Sequence, residues 1–186
     1  MSAPEVVSEP NDRWTTEQID EFVTPAEEVE LVDFVRDLPY VPRWHRGREI
    51  KSRRQYDFGA GYEPSGRLTA AEPIPQELGW LHARVEDYCG ARFDQLIVNW
   101  YPRGGGITPH TDHPQRFGEP IAGLSLRSHC LLVGTLEKAG EQSDRVSQVV
   151  APRSLYVLRG DARWHWKHSV TGVRSNRWSL TYRVLA

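Results

Sequence analysis

At 186 residues, 39% of them hydrophobic, the chain can hold one domain of ordinary size with a sizeable core. A formal net charge of -2 gives no global positive field, which excludes a non-specific nucleic-acid coat protein and leaves only a local basic groove open. Two cysteines, Cys89 and Cys130, form neither a disulfide framework nor a CxxC pair and read as buried or half-buried free thiols.

The opening MSAPEVVSEPNDRW lacks the positive start and apolar core of a signal peptide. No apolar stretch approaches membrane-spanning length, so a cytoplasmic location, or a nuclear one in a eukaryote, is expected, with no membrane partner. Residues 1–15 read as a mobile polar tail and 16–186 as a single domain. TPAEEVELVDFVRDL predicts the first helix. Thr24 is its N-cap, Pro25 sits at N1, Glu27 completes a capping box, and Val29, Val32, Phe34 and Val35 form an apolar stripe.

Residues 43–66, RWHRGREIKSRRQYDFGAGYEPSG, group Arg43, Arg46, Arg48, Lys51, Arg53 and Arg54 ahead of Tyr56, Phe58 and Tyr62. That order suits phosphate contact with base stacking, or, taken alone, a solvated basic hairpin. PQELGWLHARVEDYCG predicts a second helix through Leu78, Leu81, Val85 and Tyr88, stopped by Gly90. FDQLIVNWY, PIAGLSLR, HCLLVGTLE, VSQVVAP, SLYVLRG and RWSLTYRVL follow as six short strands, with a further short one near Ile107. Helices first and closely spaced strands after them define an α+β fold whose β part is an antiparallel sandwich or barrel.

NWYPRGGGITPHTDH places His110 and Asp112 two apart after three glycines. Residues i and i+2 of an extended chain share a face, so one ion can take both. Gly104 to Gly106 let the backbone turn sharply into that strand. GDARWHWKHSV offers a third ligand, His165 or His168. Two histidines and a carboxylate suit a non-haem Fe(II) oxygenase, and also a zinc hydrolase. RWSLTYR weighs against zinc. It puts Arg177, Ser179, Thr181 and Arg183 on one strand face, where two buried guanidinium forks require carboxylates or phosphates. Asn99 and Tyr101 add an amide and a phenol, and a dicarboxylate that also coordinates iron is 2-oxoglutarate.

On NWY, HTD, GDARWHWKH and RWSLTYR, the sequence resembles the AlkB family of Fe(II)- and 2-oxoglutarate-dependent dioxygenases, closely over residues 95–185 and more loosely over 20–94. The resemblance implies a double-stranded β-helix, or jelly roll, buttressed by helices. It makes His168, with His110 and Asp112, the iron ligand. It sets Asn99 and Arg183 near the 1-carboxylate of 2-oxoglutarate, and Tyr101 and Arg177 near the 5-carboxylate. The implied reaction consumes O2 and 2-oxoglutarate, yields succinate and CO2, and removes an N-methyl group from DNA or RNA as formaldehyde. SRRQYDFGAGY is similar to a nucleotide-recognition lid, in which Arg53 and Gln55 would reach backbone or base and Phe58 would help stack. An alkylated base has to be single-stranded or flipped to be reached. LSLRSH stands where SLG is common, which points Arg127 at the pocket, and Pro114 stands where some base-repair members carry an acidic residue. The same chemistry on a protein side chain or small molecule is the competing reading. A monomer is expected.

Overall fold

The computed structural model describes residue 14 and residues 16–45, 48–62, 67–137 and 144–186, without the side chains of 43–45, 48 and 62. Of the segments read above, residues 1–13 and 15 of the tail, and Arg46, Gly47 and 63–66 of the basic stretch, lie outside the described residues.

Chain order begins with a short strand, β1 (Thr16–Ile19), then helix α1 (Pro25–Val35). The capping box forms as its residues dictate: Glu27 N–H donates to Thr24 Oγ1 at 3.2 Å, and Thr24 N–H donates to Glu27 Oε2 at 2.8 Å. The buried stripe runs through Leu31, Val32 and Val35, while Val29 is 55% exposed. Glu28 is buried on the same helix, where it accepts from the backbone N–H of Arg127 at 2.7 Å and from Arg153 Nη1 at 3.4 Å. Both of those arginines have left-handed backbone, φ +74° and +65°, so one carboxylate secures two strained turns.

β2 (Val41–His45) and β3 (Arg48–Phe58) form a hairpin that joins the main sheet, and β4 (Ala60–Tyr62) pairs with β5 (Leu68–Ala70). One 3-10 turn, Gln76–Leu78, leads into α2 (Gly79–Cys89). Gly90 ends it with φ +62°. Leu78, Leu81 and Val85 are buried as expected, but Tyr88 is 42% exposed and Cys89 takes its inward position.

The remaining elements are β6 (Gln95–Tyr101), β7 (Ile107–His110), β8 (Phe117–Leu126), β9 (Cys130–Leu136), β10 (Asp144–Val150), β11 (Leu155–Leu158), the single-turn helix α3 (Gly160–Trp164), β12 (Lys167–Thr171) and β13 (Arg177–Leu185). All six strands of the sequence reading are present, and so is the one near Ile107. β1, β4, β5, β12, α3 and the pairing of the basic hairpin with the sheet were not expected from the sequence.

The main sheet runs β1-β11-β8-β13-β6-β3-β2 and the smaller one β10-β9-β12-β7, antiparallel throughout. Period-2 alternation sends Leu96, Val98, Leu180 and Tyr182 to the helices, where they meet Leu31, Leu81 and Val85. The opposite face of the main sheet gives Tyr101, Ile121 and Leu158 to a second core, shared with Leu132, Val146 and Val170 of the smaller sheet. Two sheets closed on that core form the double-stranded β-helix. Trp14, inside the stretch read as a tail, is buried in it: its Nε1 donates to Gln148 Oε1 at 3.1 Å and its ring meets Trp166 edge-on at 5.4 Å.

Candidate active site

The glycine run brings the first two candidate ligands into position. Gly104 has φ +74°, and a Cβ on Gly105 would fall 2.5 Å from the Ser52 carbonyl oxygen, so the β6–β7 connection threads close to β3 only because side chains are absent. β7 ends at His110, and His168 of β12 is its cross-strand partner. Their ring centroids are 4.4 Å apart. His168 Nε2 lies 3.7 Å from Asp112 Oδ2, and the three residues can each offer a ligand atom within 4.8 Å of the others. His110 Nδ1 lies 2.9 Å from the Thr108 carbonyl oxygen. A carbonyl only accepts, so Nδ1 carries the proton and Nε2 is left for a metal.

Electrostatics keep these donors in ligand form. Burial opposes the charge of Asp112, but the positive charge around it, that of Arg183 first, outweighs burial and holds the carboxyl below the usual carboxylate range. Burial, reinforced by His110, pushes His168 down to about 3, and burial also lowers His110. Both rings are therefore neutral at pH 7, with lone pairs available. Arg183 pairs with Asp112 Oδ1 and donates to Gln95 Oε1 at 3.3 Å. Among the described residues Asp112 Oδ2 and His168 Nδ1 have no hydrogen-bond partner.

Arg163, which the sequence reading quoted in a motif without giving it a role, is 1% exposed. It donates from Nη1 to the Asp112 carbonyl at 3.1 Å, from Nε to the Gly118 carbonyl at 2.8 Å, and from Nη2 to the Phe117 carbonyl. One guanidinium on α3 thus holds both ends of the loop that follows the HTD triplet.

β13 pairs with β6 so that Arg177 faces Tyr101 and Ser179 faces Asn99. Arg177 is fully buried. Its Nε donates to Ser125 Oγ at 2.9 Å and its guanidinium lies 5.2 Å from the Tyr101 ring centroid, but neither terminal nitrogen has a partner among the described residues. A buried guanidinium with its fork unpaired is costly unless an anion takes it. A carboxylate matches the fork in shape and charge. The donor set and this fork together fit iron and a dicarboxylate.

A cavity of about 360 Å³ opens onto His110, Asp112 and Arg183, with Ile50, Ser52 and Arg53 of β3 on its wall. Arg53 Nη1 donates to Asn99 Oδ1 at 3.1 Å. The other two expected substrate contacts are not on this wall. Gln55 is 1% exposed and donates to Asp57 Oδ1 at 2.8 Å. Phe58 is 3% exposed in the helix-side core, edge-on to Tyr56 at 5.0 Å. It sits on the strand face opposite Arg53, so it cannot stack on a base in the cavity. Arg127 is not in the cavity either: it lines a shallow surface groove with Val32, Arg36 and Trp178. His165 has its side chain 67% exposed, 3.9 Å from Asp161, outside the cluster.

Residues 17–183 match the 2OG-Fe(II) oxygenase superfamily, and the chain belongs to it. It is a 2-oxoglutarate-dependent dioxygenase, using Fe(II), 2-oxoglutarate and O2. Within that superfamily it is AlkB-like. It is 29% identical over 174 residues to the Probable RNA/DNA demethylase ALKBH6 of Danio rerio, covering 86% of this chain and 70% of that protein. It is 27% identical over 160 residues to the tRNA (carboxymethyluridine(34)-5-O)-methyltransferase ALKBH8 of Mus musculus, covering 82% of this chain but 24% of that protein. The solved structure of OsALKBH1 shares the fold, with a TM-score of 0.69 at 16% identity over 91% of this chain and 97% of that one.

Proposed function

We propose that this dioxygenase removes an N-methyl group from an alkylated base in DNA or RNA, single-stranded or flipped, with formaldehyde, succinate and CO2 as products. The observation that carries the reading is the wall of the cavity, where Arg53 from the basic hairpin stands over the His110–Asp112–His168 cluster. The nucleic-acid activities in the names of the zebrafish and mouse relatives support the same substrate class.

His110, Asp112 and His168 would hold the iron. Arg177 and Tyr101 would take the 5-carboxylate of 2-oxoglutarate, and Asn99 and Arg183 would lie by its 1-carboxylate. When bound, the metal and cosubstrate supply the oxidising power that converts the methyl C–H to C–OH. Arg183 keeps Asp112 ionised and oriented. The neutral imidazoles keep their lone pairs on the ligand side. Arg53 positions the base, or the phosphate beside it, so that the methyl group faces the cluster. The hydroxymethyl group then leaves as formaldehyde: its O–H proton is lost, the C–N bond breaks, its electron pair returns to the base nitrogen, and that nitrogen takes up a proton where the base was neutral.

The test follows succinate and oligonucleotide mass together, on iron-loaded protein supplied with 2-oxoglutarate, ascorbate and air. Single-stranded oligonucleotides carrying one methylated base are the substrates. Loss of one methyl mass per succinate, abolished by His110→Ala, is expected. Succinate with no change in any oligonucleotide would refute the nucleic-acid reading and send the search to protein or small-molecule substrates.

A further inference from the structure

We infer that the base this cavity accepts is uncharged, an N-methylated lactam such as 3-methyluracil or 1-methylguanine, and that cationic 3-methylcytosine and 1-methyladenine are disfavoured. The inference rests on the demethylase reading above and sharpens it.

Methylation at N3 of cytosine or N1 of adenine fixes a positive charge on the ring. Methylation at N3 of uracil or N1 of guanine replaces a proton and leaves the base neutral. Within each pair the methyl group sits at the same place, but an amino donor becomes a carbonyl acceptor. A pocket built for the cation therefore needs a free carboxylate, and a pocket built for the lactam needs donors.

Among the described residues, Asp112 is the one carboxylate on the cavity wall. Arg183 already pairs with it, and its remaining oxygen belongs to the ligand cluster. Two further carboxylates of β3 are not on that wall and are engaged: Asp57 accepts from Gln55 Nε2 at 2.8 Å, and Glu49 lies 3.5 Å from Arg54 Nη2. Among the described residues no carboxylate is left on the wall to offset a positive ring.

Two guanidiniums, those of Arg53 and Arg183, line the same space. Among the described residues no carboxylate pairs with Arg53, whose contact is the neutral amide oxygen of Asn99 at 3.1 Å. Four of the five N–H donors of a guanidinium remain after that bond. They match the carbonyl of a lactam and oppose the amino group of the cation. The rest of the wall includes Ile50, Ile97 and Ile107, against which a neutral ring packs well and a cation loses hydration without repayment. Loading the site does not reverse this. The two charges of Fe(II) cancel those of the 2-oxoglutarate dianion, Asp112 cancels one of Arg177 and Arg183, and the other arginine and Arg53 leave the surroundings net positive.

The experiment uses four single-stranded oligonucleotides of one sequence, each with one of these methylated bases. Affinity is read by fluorescence anisotropy on protein loaded with Mn(II) and 2-oxoglutarate, where no turnover occurs, and kcat/KM on the iron-loaded protein. The neutral member of each pair should bind and react about tenfold better or more. Arg53→Glu should shift both ratios toward the cation, and Arg53→Gln should compress them. Equal or better binding and turnover of the cationic members would overturn the inference and leave the demethylase reading standing. Succinate formed with all four bases unchanged would overturn that reading and this inference together.

Discussion

Replacing Arg163 by lysine tests whether the loop after the HTD triplet is held from outside the metal cluster. The guanidinium reaches three backbone carbonyls, those of Asp112, Phe117 and Gly118. A single ammonium on a flexible stem can satisfy one of them well. Two charge-assisted bonds lost at about 1.5–3 kcal/mol each put the cost at about 3 kcal/mol or more. For a chain of this size that corresponds to a fall in Tm of about 6–12 °C. Because one of the three carbonyls belongs to Asp112, a second consequence follows: metal affinity should drop about 10–100-fold, as it does when a group orienting a ligand is removed. Calorimetric melting of the metal-free protein and a Mn(II) titration read the two effects separately. A lower Tm with unchanged Mn(II) affinity would show that Arg163 only stabilises the fold. An unchanged Tm would refute the claim that it holds the loop at all.

Arg177→Met should leave Tm unchanged or raised, because an unpaired buried charge gives way to apolar volume. The KM for 2-oxoglutarate should meanwhile rise about 100-fold, the loss of one charge-assisted fork of about 3 kcal/mol. A KM within twofold of the parent would remove Arg177 from the cosubstrate site. Glu27 has its pKa lowered from 4.5 to about 2, first by the Arg84 side chain and then by the Thr24 N–H. Its contribution is thus complete above pH 4.5 and disappears as the pH falls towards 2. The stability difference between parent and Glu27→Gln should shrink over that window, and denaturant midpoints across it check the sign. Trp14→Ala removes a ring packed on Trp166 and over Gly134, at about 3–5 kcal/mol. An urea midpoint equal to the parent's would place Trp14 outside the core.

What could be read from the sequence was what depends on neighbouring residues. The capping box of α1 involves Thr24, Pro25 and Glu27 alone, and it formed as drawn. Six strands of the sheets announced themselves as short β-branched or aromatic runs between turn residues, and the even spacing of RWSLTYR placed its two arginines on one face before any partner strand was known. β12 was missed because KHSVT carries a lysine and a histidine where a strand signal needs apolar residues. Its order comes from pairing with β7 and β9 on both sides, which is tertiary information. The residues alone left His165 and His168 both open and the resemblance chose His168, which the pairing of β12 with β7 sets opposite His110.

Phe58 was misplaced for a different reason, since the signal was there to be used. Arg53 and Gln55 share strand parity and Phe58 does not, so one face could never present all three. Arg163 and Trp14 gave no local signal. A guanidinium that serves three carbonyls and a tryptophan that fills the gap above a glycine are recognisable only once distant segments have met. Arg127 was pointed at the cavity by its place in LSLRSH, but its left-handed backbone, tied to Glu28, turns it to the surface.

Anaerobic titration with Fe(II) in the presence of 2-oxoglutarate shows whether His110, Asp112 and His168 form one iron site. The parent should bind one equivalent with the charge-transfer absorption of an iron–2-oxoglutarate complex. His110→Ala and His168→Ala should lose it, and His165→Ala should keep it. Loss in His165→Ala with retention in His168→Ala, or no binding by the parent, would show that these three residues are not the iron ligands.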